Sequence, residues 1–379
     1  MSGYAQGSLW YYAPSKAAPV VFIILFLVSG LVHLYQCFRY KSWRITLFLP
    51  WAALIMSAGF ATRLAGAYHF DNLSFVIAST VLVMSGPPVY AASNYLVFSR
   101  LLFYVPYLSP MHPGRVLTTF LGLDALIEIL ISNGAVRISN ASLTDAERNV
   151  GDIMVKVSLI TQALIFFALV GLAIQFHIRA RRAGVLTPKL RTVLIVLYTT
   201  SAAVSIRCIY RIVEYFEGYS GMLFTHEYFF YIFEAALMFL TTLILNIWHP
   251  GARMPRSNKL YLSQDGVTEL RGLGWGDNRN WVITVFDPFD LVGLCRGNDK
   301  RTRFWEMTPE EIATLEAEQK RNKRSGWKVA LDPFNFHGKN GAISKRAGKH
   351  GTGGGTENKE GTLGVERAVS PKRDVGDAV

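Results

Sequence analysis

AAPVVFIILFLVSGLVHLYQC, residues 17–37, is an apolar run without a charged side chain. A helix needs about 20 apolar residues to cross the ~30 Å hydrocarbon core of a bilayer, so this run predicts a membrane-spanning helix. Six more runs of this kind follow at about 45–66, 75–104, 114–135, 153–177, 190–215 and 226–248. The runs are continuous and do not alternate with polar residues, which argues against the strands of a membrane barrel. The sequence therefore predicts an all-α polytopic membrane protein with a seven-helix bundle.

Charged residues are sparse in the first two thirds of the chain and concentrated in the last third. Residues 1–248 contain 17 Lys/Arg and 10 Asp/Glu, whereas residues 249–379 contain 22 and 17. A capping box that begins at Thr308 predicts a short helix near 309–322, and the Gly/Lys/Thr-rich end predicts disorder. The predicted domains are an extracellular segment (1–16), the membrane domain (17–248), a largely irregular cytoplasmic tail (249–337) and a disordered tail (338–379).

Lys and Arg concentrate in alternate loops. The loops after the first, third and fifth runs are basic, whereas the loops at 67–74 and 216–226 contain neither Lys nor Arg. Because basic loops stay in the cytoplasm, the pattern predicts an N-terminus outside and a tail inside. The two Asn-x-Ser sequons, at Asn72 and Asn140, both fall in loops predicted to lie outside, and they are candidate glycosylation sites.

The net charge of +12 does not indicate nucleic-acid binding. The basic residues stand at the ends of apolar runs, where they face lipid head groups, and no nucleic-acid-binding motif is present. The cysteines (Cys37, Cys208 and Cys295) are too few and too scattered for a disulfide framework or a zinc site. The spans contain no HExxH pattern, and the chain has no Walker A motif. We therefore predict no cofactor, no metal and no catalytic residue.

Polar side chains inside the spans are the candidate residues of a substrate-binding site or translocation path. Ionisable groups are costly in lipid and usually face the interior of the bundle. The candidates are Arg63 in the second run, Asp124 and Glu128 in the fourth, Gln162 in the fifth, Arg207, Arg211 and Glu214 in the sixth, and Glu227, Tyr231 and Glu234 in the seventh. In the third run, Pro87 and Pro88 predict a kink of the helix.

Two interpretations of these charges stay open. The arginines and glutamates near the outer ends of the second, sixth and seventh helices either surround a cavity open to the outer leaflet or only pair with each other to hold the helices together. Asp124 and Glu128 are four residues apart and share a helical face. Two carboxyl groups in a dry site do not both ionise, so this pair is a candidate site for a proton or an amine.

Several motifs together carry a family resemblance. They are Tyr12-Ala-Pro-Ser15, Pro87-Pro88-Val-Tyr90-Ala-Ala with Tyr95, Ile206-Arg207-Cys-Ile-Tyr210-Arg211-Ile-Val-Glu214 with Gly218, Gly221 and Glu227, and Phe233-Glu234 with Met238 and His249-Pro250-Gly251. With them the chain resembles, over about residues 10–251, the fungal RTA-like (resistance to aminocholesterol) family of lipid-translocating exporters. The resemblance implies seven membrane helices, export or translocation of sphingoid long-chain bases, resistance to toxic amphiphiles, and in some members porphyrin transport.

The fourth helix departs from the family pattern. Asp124 and Gly134 fit it, but Ile131 stands where a glutamine is expected, and Asn133 replaces a glycine. Glu128 occupies a position that is usually apolar in the family. If the fourth helix lines the substrate path, these differences predict a different cargo preference.

We therefore predict a non-enzymatic transporter or translocation facilitator for amphipathic lipids or toxic amphiphiles. Its predicted partners are membrane lipids and the cargo, and its predicted place is the plasma membrane or an internal membrane. Among the candidate residues, five acids against three bases leave room for a cationic head group. The alternative is a seven-helix sensor for a lipid-like ligand that signals through the tail, although unrelated families share this layout.

Overall fold

The computed structural model describes residue 10 and residues 12–139, 142–218, 221–255, 257–272, 287, 304–306 and 309–322. Met1–Lys320 form one compact unit, and a second unit begins at Arg321. In the described part, seven helices are long and apolar enough to cross a membrane. The predicted all-α, multi-pass membrane bundle is confirmed, while the side on which the N-terminus lies stays a prediction.

The spanning helices are α1 (Ala17–Tyr40), α2 (Phe48–Tyr68), α3 (Leu73–Tyr104), α4 (Pro113–Ser139), α5 (Asp145–Arg182), α6 (Pro188–Glu217) and α7 (Glu227–Arg253). Helix α3 is central, since it contacts α2, α4, α6 and α7, and its residues 90–104 are all buried. Helix α7 also packs against α1. We call the end of the bundle where α1 begins the amino end, and the end from which the chain continues past α7 the tail end.

Some helices extend past the apolar runs because their caps lie in polar sequence. Helix α5 begins at Asp145 and not near 153, since Thr144 and Glu147 form a capping box in front of it. Helix α6 begins after Thr187, whose side chain caps the first turn, with Pro188 in the first position. At 1.5 Å per residue the 38 residues of α5 span about 57 Å, so this helix is longer than the hydrocarbon core is thick.

Helix α3 passes through Pro87 and Pro88 as one helix of 32 residues. The two prolines lack a backbone N–H, so the carbonyl groups of Val83 and Met84, four residues earlier, lose their partners within the helix. The kink predicted at this position stays a prediction.

Helix α7 changes its winding along its length. It is α-helical over Glu227–Phe230, π-helical over Tyr231–Ala236 and α-helical again over Leu237–Ile247. A π-helical turn contains an additional residue and often occurs at functional sites. Glu234 lies in this turn, and it faces a different neighbouring helix from Glu227, although their spacing of seven predicts one common face.

Helices α4 and α5 cross in close contact at Gly134 and Gly151. A Cβ atom placed on Gly134 would lie 2.7 Å from the Gly151 carbonyl oxygen, and one on Gly151 would lie 2.8 Å from the Gly134 carbonyl oxygen. Glycine therefore permits the direct backbone contact that small residues provide in membrane helix pairs. Farther along α5, a Cβ atom on Gly171 would have nothing within 4 Å.

Gly151→Ala is expected to destabilise the fold by roughly 1–3 kcal/mol, because the added methyl group forces α4 and α5 apart. The matched variant Gly171→Ala is expected to be neutral or stabilising by up to about 1 kcal/mol, since alanine favours a helix more than glycine does. Melting temperatures of the purified protein in detergent check this difference. Equal melting temperatures for the two variants would contradict the close crossing.

The outward faces of the helices are apolar. Ile24, Leu31, Ile129, Leu164 and Ile209 are each more than half exposed. On a soluble protein, apolar patches of this extent would mark interfaces, but lipid is their expected surroundings on a membrane bundle.

Part of the tail is folded onto the tail end of the bundle. Strands β1 (Leu260–Leu262) and β2 (Glu269–Arg271) form an antiparallel hairpin that was not predicted from the sequence. The hydroxyl group of Tyr104 at the end of α3 donates to Glu269 Oε1 at 2.9 Å. Helix α8 (Pro309–Asn322) lies where the capping box predicts a helix.

Several sequence predictions stay open. Asn72 is the N-cap of α3, with its side chain accepting the N–H of Ser74, and Asn140 lies outside the described residues. The segment 338–379, predicted to be disordered, also lies outside them. Glycosylation of the sequons and the division into domains stay predictions.

Candidate functional site

Helices α6 and α7 are joined by a buried ionic network. Glu234 accepts hydrogen bonds from Arg207 Nε on both carboxylate oxygens, at 2.9 and 3.0 Å, and from Arg211 Nε at 2.8 Å. Arg211 Nη1 also donates to Glu214 Oε2 at 2.7 Å, and the Tyr210 hydroxyl donates to the other oxygen of Glu214 at 2.7 Å. All five side chains are buried, Glu234 completely. We call these five residues the α6–α7 network.

A second ionic group joins α2 to α7 at the amino end. Arg63 Nη2 donates to Glu227 Oε1 at 2.9 Å and to the hydroxyl group of Tyr12, while Arg63 Nε donates to the hydroxyl group of Tyr231 at 3.3 Å. The other oxygen of Glu227 accepts the backbone N–H of Ser15 at 2.8 Å. Arg63 and Glu227 therefore also fix the segment that precedes α1.

Aromatic rings connect the two ionic groups. The ring of Phe230 lies between the arginines, with its centroid 4.2 Å from the guanidinium carbon of Arg63 and 5.8 Å from that of Arg211. The ring of Trp10 lies 4.8 Å from the same carbon of Arg63. Such cation–π contacts contribute up to about 2 kcal/mol when the cation is desolvated. These rings therefore contact the protein's own cations.

A cavity of about 400 Å³ lies at the amino end, next to both ionic groups. Its volume falls in the range of about 300–1,000 Å³ that small-molecule sites occupy. Arg63, Arg148, Arg211 and Glu214 form a charged part of its wall. The apolar part includes Leu73, Val76, Val83, Met84, Leu223 and Phe224. The cavity is thus amphipathic, with charged and apolar walls facing one space.

Asp124 and Glu128 are bonded to hydroxyl groups of α3. The Tyr95 hydroxyl donates to Asp124 Oδ2 at 2.5 Å, and Ser85 Oγ donates to Glu128 Oε1 at 2.8 Å. Asp124 Oδ1 is buried without a hydrogen-bond partner. Within the described part of the chain, neither carboxylate forms an ion pair with Lys or Arg. They are therefore the candidate acids that Arg63, Arg207 and Arg211 leave without a paired base.

The structure brings most of the predicted site residues into two groups. The candidate arginines Arg63, Arg207 and Arg211 pair with the candidate glutamates of α6 and α7, which agrees with the interpretation that ion pairs hold the helices together. Arg63, Arg211 and Glu214 also line the cavity, while its opening to the outer leaflet stays a prediction. Glu227 pairs with Arg63 and not with Arg211. Gln162 is buried on α5 and belongs to neither of the two ionic groups.

Five aromatic residues that contact the charged groups are not among the site residues predicted from the sequence. Tyr12, Tyr95 and Tyr210 supply hydroxyl groups to Arg63, Asp124 and Glu214, respectively, and each tyrosine stands in a motif that carried the family resemblance. Those motifs were the available signal. For Trp10 and Phe230 there was no such signal, because a cation–π contact between distant residues depends on the tertiary fold.

Comparisons with known proteins find relatives for most of the chain. A family model described as RTA1 like protein matches residues 49–257. A lipid-translocating exporter-like protein of Leptosphaeria maculans is 33% identical over 316 residues, which are 78% of this chain and 60% of that protein. A protein of the same description from Ajellomyces capsulatus is 31% identical over 275 residues, 69% of this chain and 86% of that protein.

A shorter match concerns a protein named for its cargo. A stretch of 45 residues is 47% identical to the sphingoid long-chain base transporter of Saccharomyces cerevisiae, and it covers 12% of each chain. The chain spans less than two thirds of the length of the Leptosphaeria relative. No solved structure matches the chain.

Proposed function

Because the chain belongs to the RTA1-like family, we propose that it translocates amphipathic lipids across the membrane without catalysing a reaction. One observation carries this proposal: the cavity at the amino end has charged and apolar walls around one space. An amphipathic lipid has the same two parts, a polar head and an apolar chain. The names of the relatives, which refer to lipid translocation and to sphingoid bases, support the same cargo class.

The cargo we propose is a sphingoid long-chain base, with its ammonium group bound at Glu214. A carboxylate accepts about four hydrogen bonds, and the contacts from Tyr210 and Arg211 use two of these positions. Glu214 is the carboxylate in the cavity wall, so it can bind a cationic head there. The guanidinium groups of Arg63 and Arg211, already paired with glutamates, would donate to the hydroxyl groups of the same head.

Asp124 offers a second position deeper in the bundle. Its buried Oδ1 has no hydrogen-bond partner, and an ammonium group would supply the missing donor. The apolar side chains of Met84, Ile127 and Tyr215 pack together in the cluster next to the cavity. We propose that a head group passes this apolar cluster between Glu214 and Asp124.

Glu214→Gln is expected to lower translocation of a fluorescent long-chain base about tenfold, because the amide keeps the shape but removes the charge that attracts the ammonium group. Efflux of the fluorescent base from cells that express each variant, at matched amounts of protein at the cell surface, measures this effect. Asp71→Asn is the control, since Asp71 is an exposed acid in the turn between α2 and α3, at the same end of the bundle, and does not line the cavity. Equal efflux from both variants would contradict binding at Glu214.

The translocation itself is tested by efflux with and without the protein. Faster efflux and greater resistance to the toxic amphiphile in cells that express it are expected, with the protein in the plasma membrane. Unchanged efflux with the protein confirmed at the surface would contradict translocation of this cargo and leave the sensor interpretation.

A further inference from the structure

A second cavity lies between α4 and α5, in the half of the bundle toward the tail end. Its volume is about 410 Å³. Its wall includes Phe120 and Leu123 from α4 and Ile165, Gly171 and Gln175 from α5. We call this cavity the α4–α5 cleft. In the described part of the chain, it shares no lining residue with the cavity at the amino end.

The cleft exists because α4 and α5 touch at one end and leave space at the other. Near the amino end their backbones are in contact at Gly134 and Gly151. Gly171 lies twenty residues after Gly151, which is about 30 Å farther along α5. A Cβ atom at Gly171 would have nothing within 4 Å, so no side chain fills the space beside this residue.

The cleft is open on the outer surface of the bundle. Gly171 and Gln175 line it and are both exposed. From Ile165 to Gln175 its wall measures about 15 Å, which is half of the ~30 Å hydrocarbon core and thus the depth of one leaflet. Apolar cavities do not hold water, so a hydrocarbon chain from the surrounding lipid is the expected occupant.

Basic side chains follow the cleft at the tail end. Arg179 and Arg182 come four and seven residues after Gln175, so they lie on the same face of α5 as the wall of the cleft. Both are exposed. Arg181, in the same last turn and also exposed, lies on a different face of the helix. The end of the cleft that meets the lipid head groups is therefore positively charged.

We propose that the α4–α5 cleft binds an anionic phospholipid of the leaflet at the tail end. One acyl chain lies between the two helices, and the phosphate group lies at Arg179 and Arg182. A guanidinium group donates two parallel hydrogen bonds to phosphate oxygens, and basic pockets between membrane helices bind anionic head groups. The apolar cleft and the arginines thus match the two parts of one phospholipid molecule.

This phospholipid is a bound partner and not the translocated cargo. The cleft includes no residue to which the proposed function assigns a role. Its lipid is measured without any sphingoid base, so a failure of this site is distinguishable from a failure of translocation.

The test is native mass spectrometry of the purified full chain, which counts the bound phospholipid molecules. The probe is dioleoyl phosphatidylglycerol, and dioleoyl phosphatidylcholine is the control with the same chains and a neutral head. We expect phosphatidylglycerol to bind more tightly, and equal binding of the two lipids would overturn the anionic head group. Inorganic phosphate is expected to leave the lipid bound. Its displacement of the lipid would indicate a site for free phosphate and overturn the proposal.

Gly171→Trp is expected to weaken binding of phosphatidylglycerol at least about tenfold, because the indole occupies the space of the acyl chain. The open space at Gly171 accepts the new side chain, and the melting temperature reports on the fold. Ile174→Trp is the control, since Ile174 is an exposed residue of the same helix that does not line the cleft. Equal binding by these two variants would show that the acyl chain does not lie in the cleft.

Arg179→Gln is expected to weaken binding of phosphatidylglycerol about fivefold, because one basic residue at the membrane surface no longer attracts the anionic head. Arg181→Gln removes the same charge from the same turn of α5, but from a different face, and it is expected to leave the binding unchanged. The same loss of binding in both variants would mean that the arginines attract anionic lipid only through their general charge, and it would overturn the position of the phosphate.

Discussion

Replacing Glu234 by glutamine is expected to lower the melting temperature of the protein by roughly 10 °C. The carboxylate of Glu234 accepts hydrogen bonds from both Arg207 and Arg211 and is completely buried. Removing one member of a buried ion pair costs about 3–5 kcal/mol, since the partner charge stays buried and uncompensated. In this network the loss concerns two guanidinium groups. Thermal unfolding in detergent, followed by tryptophan fluorescence or by size-exclusion chromatography, measures the effect.

A double variant separates lost charge from lost shape. In Arg207→Leu/Glu234→Gln, the remaining guanidinium, Arg211, keeps its bond to Glu214, so a part of the lost stability is expected to return. A melting temperature of Glu234→Gln equal to that of the unchanged protein would contradict the ionic network. Asp71→Asn, in the exposed turn between α2 and α3, is expected to leave the melting temperature unchanged.

The number and order of the helices could be predicted because each span must be apolar over its whole length. The hydrocarbon core of a bilayer has no hydrogen-bonding groups, so the backbone of a span forms its own hydrogen bonds as a helix, and its apolar composition is visible in the sequence. The ends were harder to predict. Helix α5 starts at Asp145 because of a capping box at Thr144. This start lies in polar sequence, so the apolar run does not indicate it.

The candidate site could be predicted as a set of residues but not as pairs. The spacing of Arg207, Arg211 and Glu214 predicts that they share one face of α6, and they do so in the structure. Their partners on other helices depend on how α7 is turned. The π-helical segment over Tyr231–Ala236 directs Glu234 to α6, while Glu227 contacts α2. No periodicity in the sequence indicates this additional residue in the turn.

Buried polar contacts between helices show a second limit of sequence reasoning. His33 lies within hydrogen-bonding distance of Thr242 only because α1 packs against α7. Unsatisfied polar atoms are properties of the packed structure, so no pattern along the chain shows them.

Thr80→Trp is expected to reduce translocation at least about tenfold while leaving the fold intact. Thr80 lines the cavity from α3, and it is exposed, so an indole at this position extends into the space the head group needs and not into the core. Efflux of the fluorescent long-chain base at matched surface expression measures the effect, and the melting temperature reports on the fold.

Thr199→Trp is the matched control for the blocked cavity. Thr199 is an exposed threonine on α6 that does not line the cavity, and its hydroxyl group donates to the carbonyl oxygen four residues earlier, as that of Thr80 does. The two variants therefore lose the same local hydrogen bond and gain the same side chain. They differ in that the new indole lies in the cavity in one variant and outside it in the other. A decrease of translocation in Thr80→Trp but not in Thr199→Trp would indicate that the lipid passes through the cavity. Equal translocation in both variants would show that the lipid crosses the bundle elsewhere.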